Sequence, residues 1–65
     1  MEVFVPFLYL EMHPGRTVDQ KRNFVREATR VAVETLDCPI NSVEIIISEV
    51  SKDSWAVAGV LKSDT

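Results

Sequence analysis

The stretch PFLYLEMHPGRTVDQ, residues 6–20, contains a strand pattern, a break and a helix start in immediate succession. The strand pattern belongs to a longer apolar run, residues 3–12, whose β-branched and aromatic content is typical of a strand buried on both faces, although its length also permits a helix. His13-Pro14-Gly15-Arg16 interrupts this run, and Thr17-Val18-Asp19-Gln20 has the form of a capping box. The stretch therefore predicts a strand that leads through a turn into a helix capped by Thr17.

Apolar residues recur at three- and four-residue intervals after the capping box and predict one buried helix stripe. They are Phe24, Val25, Ala28, Val31, Ala32, Thr35 and Leu36. The helix is expected to end before Cys38-Pro39, because the residue before a proline is disfavoured in helical conformation. Asn41-Ser42 is predicted as a turn, residues 43–50 as the clearest strand, residues 51–54 as a loop, and residues 55–61 as a short hairpin or edge strand.

Strand, helix and strand in this order predict an α/β fold made of a single βαβ unit with two parallel strands and one long helix. One helix covers only one face of such a sheet. The other face would expose much Ile, Val and Phe, and a patch of this kind is typical of an interface. Domains of this size also bury a small core on their own. We therefore expect the fold to be completed by self-association into a homo-oligomer.

The composition narrows the functional classes further. A single cysteine, Cys38, excludes an internal disulfide, and with one histidine, His13, it supplies too few ligands for a structural zinc site. The net charge of −3 gives little support to nucleic-acid binding, and the arginines crowded between Arg16 and Arg30 are expected to form a solvated helix face. The apolar start is too short to span a membrane and lacks a basic leader. We predict a cytoplasmic protein with no membrane or nucleic-acid partner.

The spacing of several motifs resembles the 4-oxalocrotonate tautomerase family from Pro6 to about Leu61. The matching elements are Pro6 opening the first strand, Gly15-Arg16-Thr17 with Gln20-Lys21 at the helix start, Leu36-Asp37-Cys38-Pro39 at its end, Ser42-Val43 with Ile46-Ile47-Ser48-Glu49 in the second strand, and then Trp55 and Gly59. The resemblance implies small βαβ subunits that assemble as hexamers, most simply as a trimer of dimers. It also implies a cofactor-free tautomerase or isomerase that acts on a 2-hydroxy-dienoate or a similar enol acid.

The same resemblance implies roles for individual residues. Pro6 would be the general base through a free amino-terminal nitrogen, Arg16 would bind the substrate carboxylate, and Trp55 would be an aromatic wall of the pocket. His13 borders this pocket, although an exposed histidine in a turn is also ordinary. Arg16 as a solvated residue and Trp55 as a packing residue are the alternatives to these roles. No metal ligand is predicted.

Two positions depart from the family pattern. Glu44 stands where the family commonly has a second arginine, and a carboxylate there would repel a second anionic group of the substrate. Pro6 is preceded by residues 1–5, and a proline nitrogen inside a chain has no useful basicity.

Two hypotheses follow for residues 1–5. In the first, Val5 is encoded by a GTG start codon, residues 1–5 are a mis-annotated extension, and residues 6–65 are the tautomerase-like domain. In the second, Met1 to Val5 prolong the first strand, because an internal proline is tolerated at a sheet edge. The chain would then be a non-catalytic family member, either a structural oligomer or a carboxylate-binding module.

Overall fold

The computed structural model describes residues 5–65, which form two parallel strands joined by a long helix and followed by a small hairpin. The strands and helix are β1 (Phe7–Met12), α1 (Val18–Leu36), β2 (Glu44–Glu49), β3 (Ala56–Val57) and β4 (Val60–Leu61). Short 3-10 turns occupy Ile40–Ser42, Lys52–Ser54 and Lys62–Asp64. The predicted βαβ unit is confirmed, and the segment left open as a hairpin or an edge strand is a hairpin.

The first strand is shorter than the apolar run that predicted it. Regular strand geometry begins at Phe7, and Val5 and Pro6 lie before it. Proline has no amide hydrogen to donate to a ladder, but its carbonyl can still accept, and that of Pro6 accepts a hydrogen bond from the Glu44 amide at 3.1 Å. Residues 3 and 4 of the predicted strand lie outside the described residues.

β1 and β2 pair in parallel, with Phe7 opposite Glu44 and Met12 opposite Glu49. Side chains alternate between the two faces of the sheet, so every second residue faces α1. The residues on the α1 side are half-buried and are Leu8, Leu10, Met12, Ile45 and Ile47. On the other face Phe7, Tyr9 and Ile46 are 54%, 56% and 47% exposed. We call these three residues the open sheet face.

The boundaries of α1 follow the predicted capping signals. The Thr17 hydroxyl accepts a hydrogen bond from the Gln20 amide at 3.1 Å, and the Gln20 side chain accepts one from the Thr17 amide at 2.9 Å. At the other end Asp37 adopts a left-handed conformation and its amide donates to the Val33 carbonyl, so the helix ends after Leu36. The predicted helix start and the predicted stop before Cys38-Pro39 are both confirmed.

Within a single chain, few of the described apolar side chains are buried from solvent. Ala32 and Cys38 are buried, whereas large apolar side chains on α1 and on the hairpin remain exposed. They include Phe24, Val31, Leu36, Val57 and Val60. Large apolar side chains left exposed in this number are typical of subunits that bury them against other subunits.

The C-terminal hairpin turns at Ala58 and Gly59, which have φ values of 54° and 81°. Positive φ at both central residues matches the twist of a two-residue hairpin, and glycine adopts it without strain. Ala56 pairs with Leu61 and Val57 with Val60. Within residues 5–65, no helix combines the length and the apolar character that a membrane crossing requires.

Candidate functional site

Pro6 lies immediately before β1, at the end of the sheet where both parallel strands begin. The residue is buried, and its carbonyl oxygen is tied to the amide of Glu44. In the 65-residue chain its nitrogen forms the peptide bond with Val5. A proline nitrogen in this position takes part in acid–base chemistry only if it is the terminal amine, because an amide nitrogen does not accept a proton at neutral pH.

Glu44 occupies the first position of β2, at the same end of the sheet as Pro6. It is exposed, and its register opposite Phe7 puts both residues on the face of the sheet away from α1. The end of α1 approaches this edge through Asp37, which is also exposed. The described charged residues around the start of the strands are therefore acidic.

His13 lies at the opposite end of the sheet, one residue after β1. Its Nδ1 is 3.0 Å from the Val50 carbonyl oxygen, which can only accept a hydrogen bond. A hydrogen bond at this contact requires a proton on Nδ1, and Nε2 is the ring nitrogen that Val50 does not engage. The His13 ring also packs against Trp55, with 4.3 Å between ring centroids and an angle of 51° between the planes.

Trp55 is held between His13 and Lys62. The Lys62 amide donates to the Trp55 carbonyl at 2.8 Å, and the Lys62 ammonium group lies 5.9 Å from the centroid of the indole ring, within the range of a cation–π contact. No role is predicted for Lys62 from the sequence, where it follows the segment predicted as a hairpin or edge strand. The pairing register of the hairpin is the signal that indicates this contact. Because Ala56 pairs with Leu61, the residues that flank this pair, Trp55 and Lys62, also lie opposite each other.

Arg16 lines a cleft between α1 and the sheet, near the ends of the strands. The cleft has a volume of about 210 Å³, and its other lining residues are Leu10, Met12, Gln20, Lys21, Phe24 and Ile47. Lys21 is engaged by Glu49, with its Nζ 2.8 Å from a carboxylate oxygen. Arg16 forms no ion pair with any of residues 5–65. Its guanidinium is the cation of this cleft that remains available for an anionic group.

The residues selected from the sequence therefore fall into two groups. Pro6 and Glu44 lie where the strands begin, and His13, Arg16 and Trp55 lie where they end. The six residue steps from Pro6 to Met12 correspond to roughly 20 Å of extended chain. A single chain brings His13 and Trp55 into contact but does not bring Pro6 to Arg16.

The residues with shifted pKa values lie away from both groups, on the outer surface of α1. The Arg30 guanidinium donates a hydrogen bond to Glu27 and, with its positive charge, lowers the pKa of that carboxyl. The same hydrogen bond, the charge of Glu27 and the contact with Glu34 raise the pKa of Arg30. These groups stabilise the helix surface and are not part of either end of the sheet. Among residues 5–65 no cluster of histidine, cysteine and acidic side chains is arranged to hold a metal ion.

A two-stranded parallel sheet, one crossover helix and a short hairpin define a class of small βαβ proteins. A family model described as tautomerase enzyme matches residues 6–65. The 2-hydroxymuconate tautomerase of Bacillus subtilis is 38% identical over 60 residues, which cover 92% of this chain and 97% of that protein. The chain belongs to the 4-oxalocrotonate tautomerase family.

Solved structures agree with this assignment. YwhB, a homologue of 4-oxalocrotonate tautomerase, superposes with a TM-score of 0.88 at 38% identity, covering 92% of this chain and 98% of that one. A heterohexamer 4-oxalocrotonate tautomerase from Chloroflexus aurantiacus gives a TM-score of 0.83 at 30% identity, covering 92% and 97%.

Proposed function

We propose that this protein is a tautomerase that moves a proton between the enol and keto forms of a 2-hydroxy-dienoate or a similar enol acid. The observation that carries the proposal is the family match, which begins at Pro6 and continues to residue 65. The matched segment begins with Pro6 and does not include residues 1–5. The 2-hydroxymuconate tautomerase among the relatives supports an enol acid as the substrate class.

Pro6 is the general base in this proposal, and its basicity requires a free secondary amine. We propose that residues 1–5 are absent from the active protein and that residues 6–65 form the tautomerase domain. A start at Val5 followed by removal of the initiator would leave Pro6 as the terminal residue. An aromatic wall such as Trp55 supports this role, because apolar surroundings disfavour the charged ammonium form and leave a terminal amine able to accept a proton near neutral pH.

The active site in this proposal is shared between two copies of the chain. Pro6 and Arg16 lie at opposite ends of β1, and the edge of β1 away from β2 has no strand partner among the described residues. Antiparallel pairing of two β1 edges about a twofold axis would bring the start of one strand next to the end of the other. Pro6 of one copy would then lie near Arg16 of the second.

The residues at the end of the sheet have distinct roles in this shared site. Arg16 binds the substrate carboxylate, since its planar guanidinium can form two parallel hydrogen bonds with a carboxylate. Trp55, fixed by His13 and Lys62, forms an aromatic wall beside it. The free Nε2 of His13 is available to accept a hydrogen bond from the substrate. At the other end of the sheet, a backbone hydrogen bond of 3.1 Å joins Glu44 to Pro6.

We propose a homohexamer built as a trimer of dimers, without a cofactor, in the cytoplasm. The Chloroflexus heterohexamer supports the stoichiometry, and the open sheet face supports a second kind of contact between dimers. Burying Phe7, Tyr9 and Ile46 there would supply apolar contact area that one chain lacks.

A second candidate function is a carboxylate-binding module that performs no chemistry. The peptide bond between Val5 and Pro6 in the 65-residue chain favours it, because this bond removes the base and leaves Arg16 unchanged. In that case the protein would bind enol acids through Arg16 without converting them.

An assay of ketonisation separates the tautomerase from the carboxylate-binding module. The substrate is 2-hydroxypenta-2,4-dienoate, and its conversion is measured by ultraviolet absorbance. The protein beginning at Pro6 is compared with its Pro6→Ala variant, in which a primary amine of different basicity and geometry replaces the secondary amine, and kcat is expected to fall by roughly 10²- to 10⁴-fold. Binding of a dienoate should change little, because Arg16 is intact. Equal rates for the two proteins would refute the proline mechanism.

A further inference from the structure

We infer that the ion pair of Lys21 and Glu49 sets how strongly the Arg16 cleft binds a carboxylate, and that Glu49 limits this affinity by engaging Lys21. The inference rests on the proposed function, because it takes the substrate carboxylate as the ligand of Arg16. It adds two affinity-determining residues to that site. Neither Lys21 nor Glu49 is among the site residues selected from the sequence.

Lys21 and Glu49 meet on the face of the sheet that carries the cleft. Glu49 is the last residue of β2 and lies on the same side as Ile47, two positions earlier, which lines the cleft. Lys21 belongs to the start of α1 and lines the cleft itself. Its Nζ is 2.8 Å from Oε1 of Glu49, so the contact is made by the two charged groups themselves.

This pair differs from the other ion pairs among residues 5–65. The others join residues within α1, and their side chains are 57% to 85% exposed. The side chains of Lys21 and Glu49 are 27% and 33% exposed, and the pair joins the helix to the sheet. Solvent therefore screens these two charges less, and they act more strongly on neighbouring groups.

Three charged groups thus lie at or beside a largely apolar cleft. Arg16 and Lys21 are two cations of its lining, and Glu49 neutralises one of them. The carboxylate of Glu49 also repels a bound carboxylate, so the pair attracts the substrate less than a free ammonium group would. Proton transfer leaves the carboxylate of the substrate unchanged, and tighter binding of an unchanged group does not lower the barrier. A limited affinity instead allows the product to leave.

Sorbate, a stable dienoate with one carboxylate, is the probe. Its dissociation constant is measured by calorimetric titration at pH 7.5 on the protein isolated with its native amino terminus and on two variants. Glu49→Gln is expected to tighten binding roughly threefold to tenfold, because its amide oxygen still accepts from Lys21 but carries no charge. Lys21→Met is expected to weaken binding by a similar factor, because Glu49 is then not neutralised.

Opposite changes from the two halves of one ion pair distinguish this role from a structural one. Loss of a purely structural pair would lower the stability of both variants without moving their affinities in opposite directions. Circular dichroism checks that the variants are folded, and Lys21→Arg, which keeps the charge, should stay within about twofold of the unmodified protein. In the ketonisation assay Glu49→Gln should lower KM without raising kcat.

Glu27→Gln and Arg30→Met are the matched controls. They remove the same two charges from an ion pair on the exposed surface of α1 and are expected to leave the dissociation constant of sorbate unchanged. Higher ionic strength should reduce the shifts seen in Glu49→Gln and Lys21→Met, because both arise from charge.

Several results would overturn the inference. They are dissociation constants that neither variant changes, changes in the same direction in Glu49→Gln and Lys21→Met, or no binding of sorbate to the unmodified protein. Failure of the proposed function is a separate outcome. Opposite shifts in affinity, together with no ketonisation of any enol acid, would refute the tautomerase activity and leave the role of Glu49 intact.

Discussion

Pro6 and Arg16 lie at opposite ends of β1, one before its first residue and the other in the turn after its last. Arg16 lines a cleft with Leu10 and Met12, in the half of the strand farthest from Pro6. Two groups separated in this way cannot act on one small substrate within a single chain. Catalysis that uses both Pro6 and Arg16 therefore requires a second copy of the chain, and this requirement can be tested.

Mixing two inactive variants tests the shared site. Pro6→Ala and Arg16→Ala are each expected to abolish most activity, and the mixed oligomer should recover about a quarter of the parent activity, because half of the bases and half of the arginines are intact and combine at random. The variants are unfolded together, refolded and assayed, and each variant refolded alone is the control. A mixture as inactive as its components would mean that one chain supplies the complete site.

A charge introduced on the open sheet face is expected to disrupt assembly. Ile46→Lys should shift the oligomer to smaller species and lower its stability, because a charged group would have to be buried at the contact. Asn23→Lys on the exposed surface of α1 adds the same charge and is the control. Analytical ultracentrifugation measures the mass of each. A folded, stable monomer of the unmodified protein would contradict the proposed assembly.

The capping box should contribute measurably to helix stability. Thr17→Ala removes the acceptor of the Gln20 amide and is expected to cost about 1 kcal/mol of unfolding free energy, whereas Thr17→Ser keeps the hydroxyl and should cost much less. Urea denaturation is compared at one protein concentration, because assembly contributes to the measured stability. Equal losses in the two variants would show that the hydroxyl is not the stabilising group.

The Glu27–Arg30 pair predicts a pH dependence of defined sign. The pKa of Glu27 lies below its ordinary value of 4.5, so the pair stabilises the folded state above that value and loses its effect as the pH falls through the lowered pKa. Glu27→Gln should therefore lower the melting temperature slightly at pH 7, and this difference should shrink as the pH falls below 4.5. High salt should reduce the difference at pH 7, since the pair is exposed. A difference that is larger in acid would contradict this sign.

Much of the local structure could be predicted from neighbouring residues in the sequence. The capping box at Thr17, the stop before Pro39 and the hairpin near Gly59 depend on neighbouring residues, and all three are present. The start of β1 was placed too early, because an apolar run does not reveal where pairing begins.

No local pattern in the sequence shows that the predicted site residues fall into two groups at opposite ends of the sheet. Motif spacing identified Pro6, Glu44, His13, Arg16 and Trp55 as one group, but the rise of β1 separates the first two from the other three. The ion pair between Lys21 and Glu49 was missed for a related reason, because it joins α1 to β2 across 28 positions of the chain. Only the folded arrangement shows that Arg16 is the cation of its cleft that is left for a ligand.

The most direct test of the central claim is the intact mass of the protein produced from its own gene in its native host. The account predicts a chain that begins at Pro6, with a free secondary amine and tautomerase activity toward enol acids. A mass that includes Met1 to Val5 would contradict it, because the base would then be an amide nitrogen, and the carboxylate-binding module would become the better explanation.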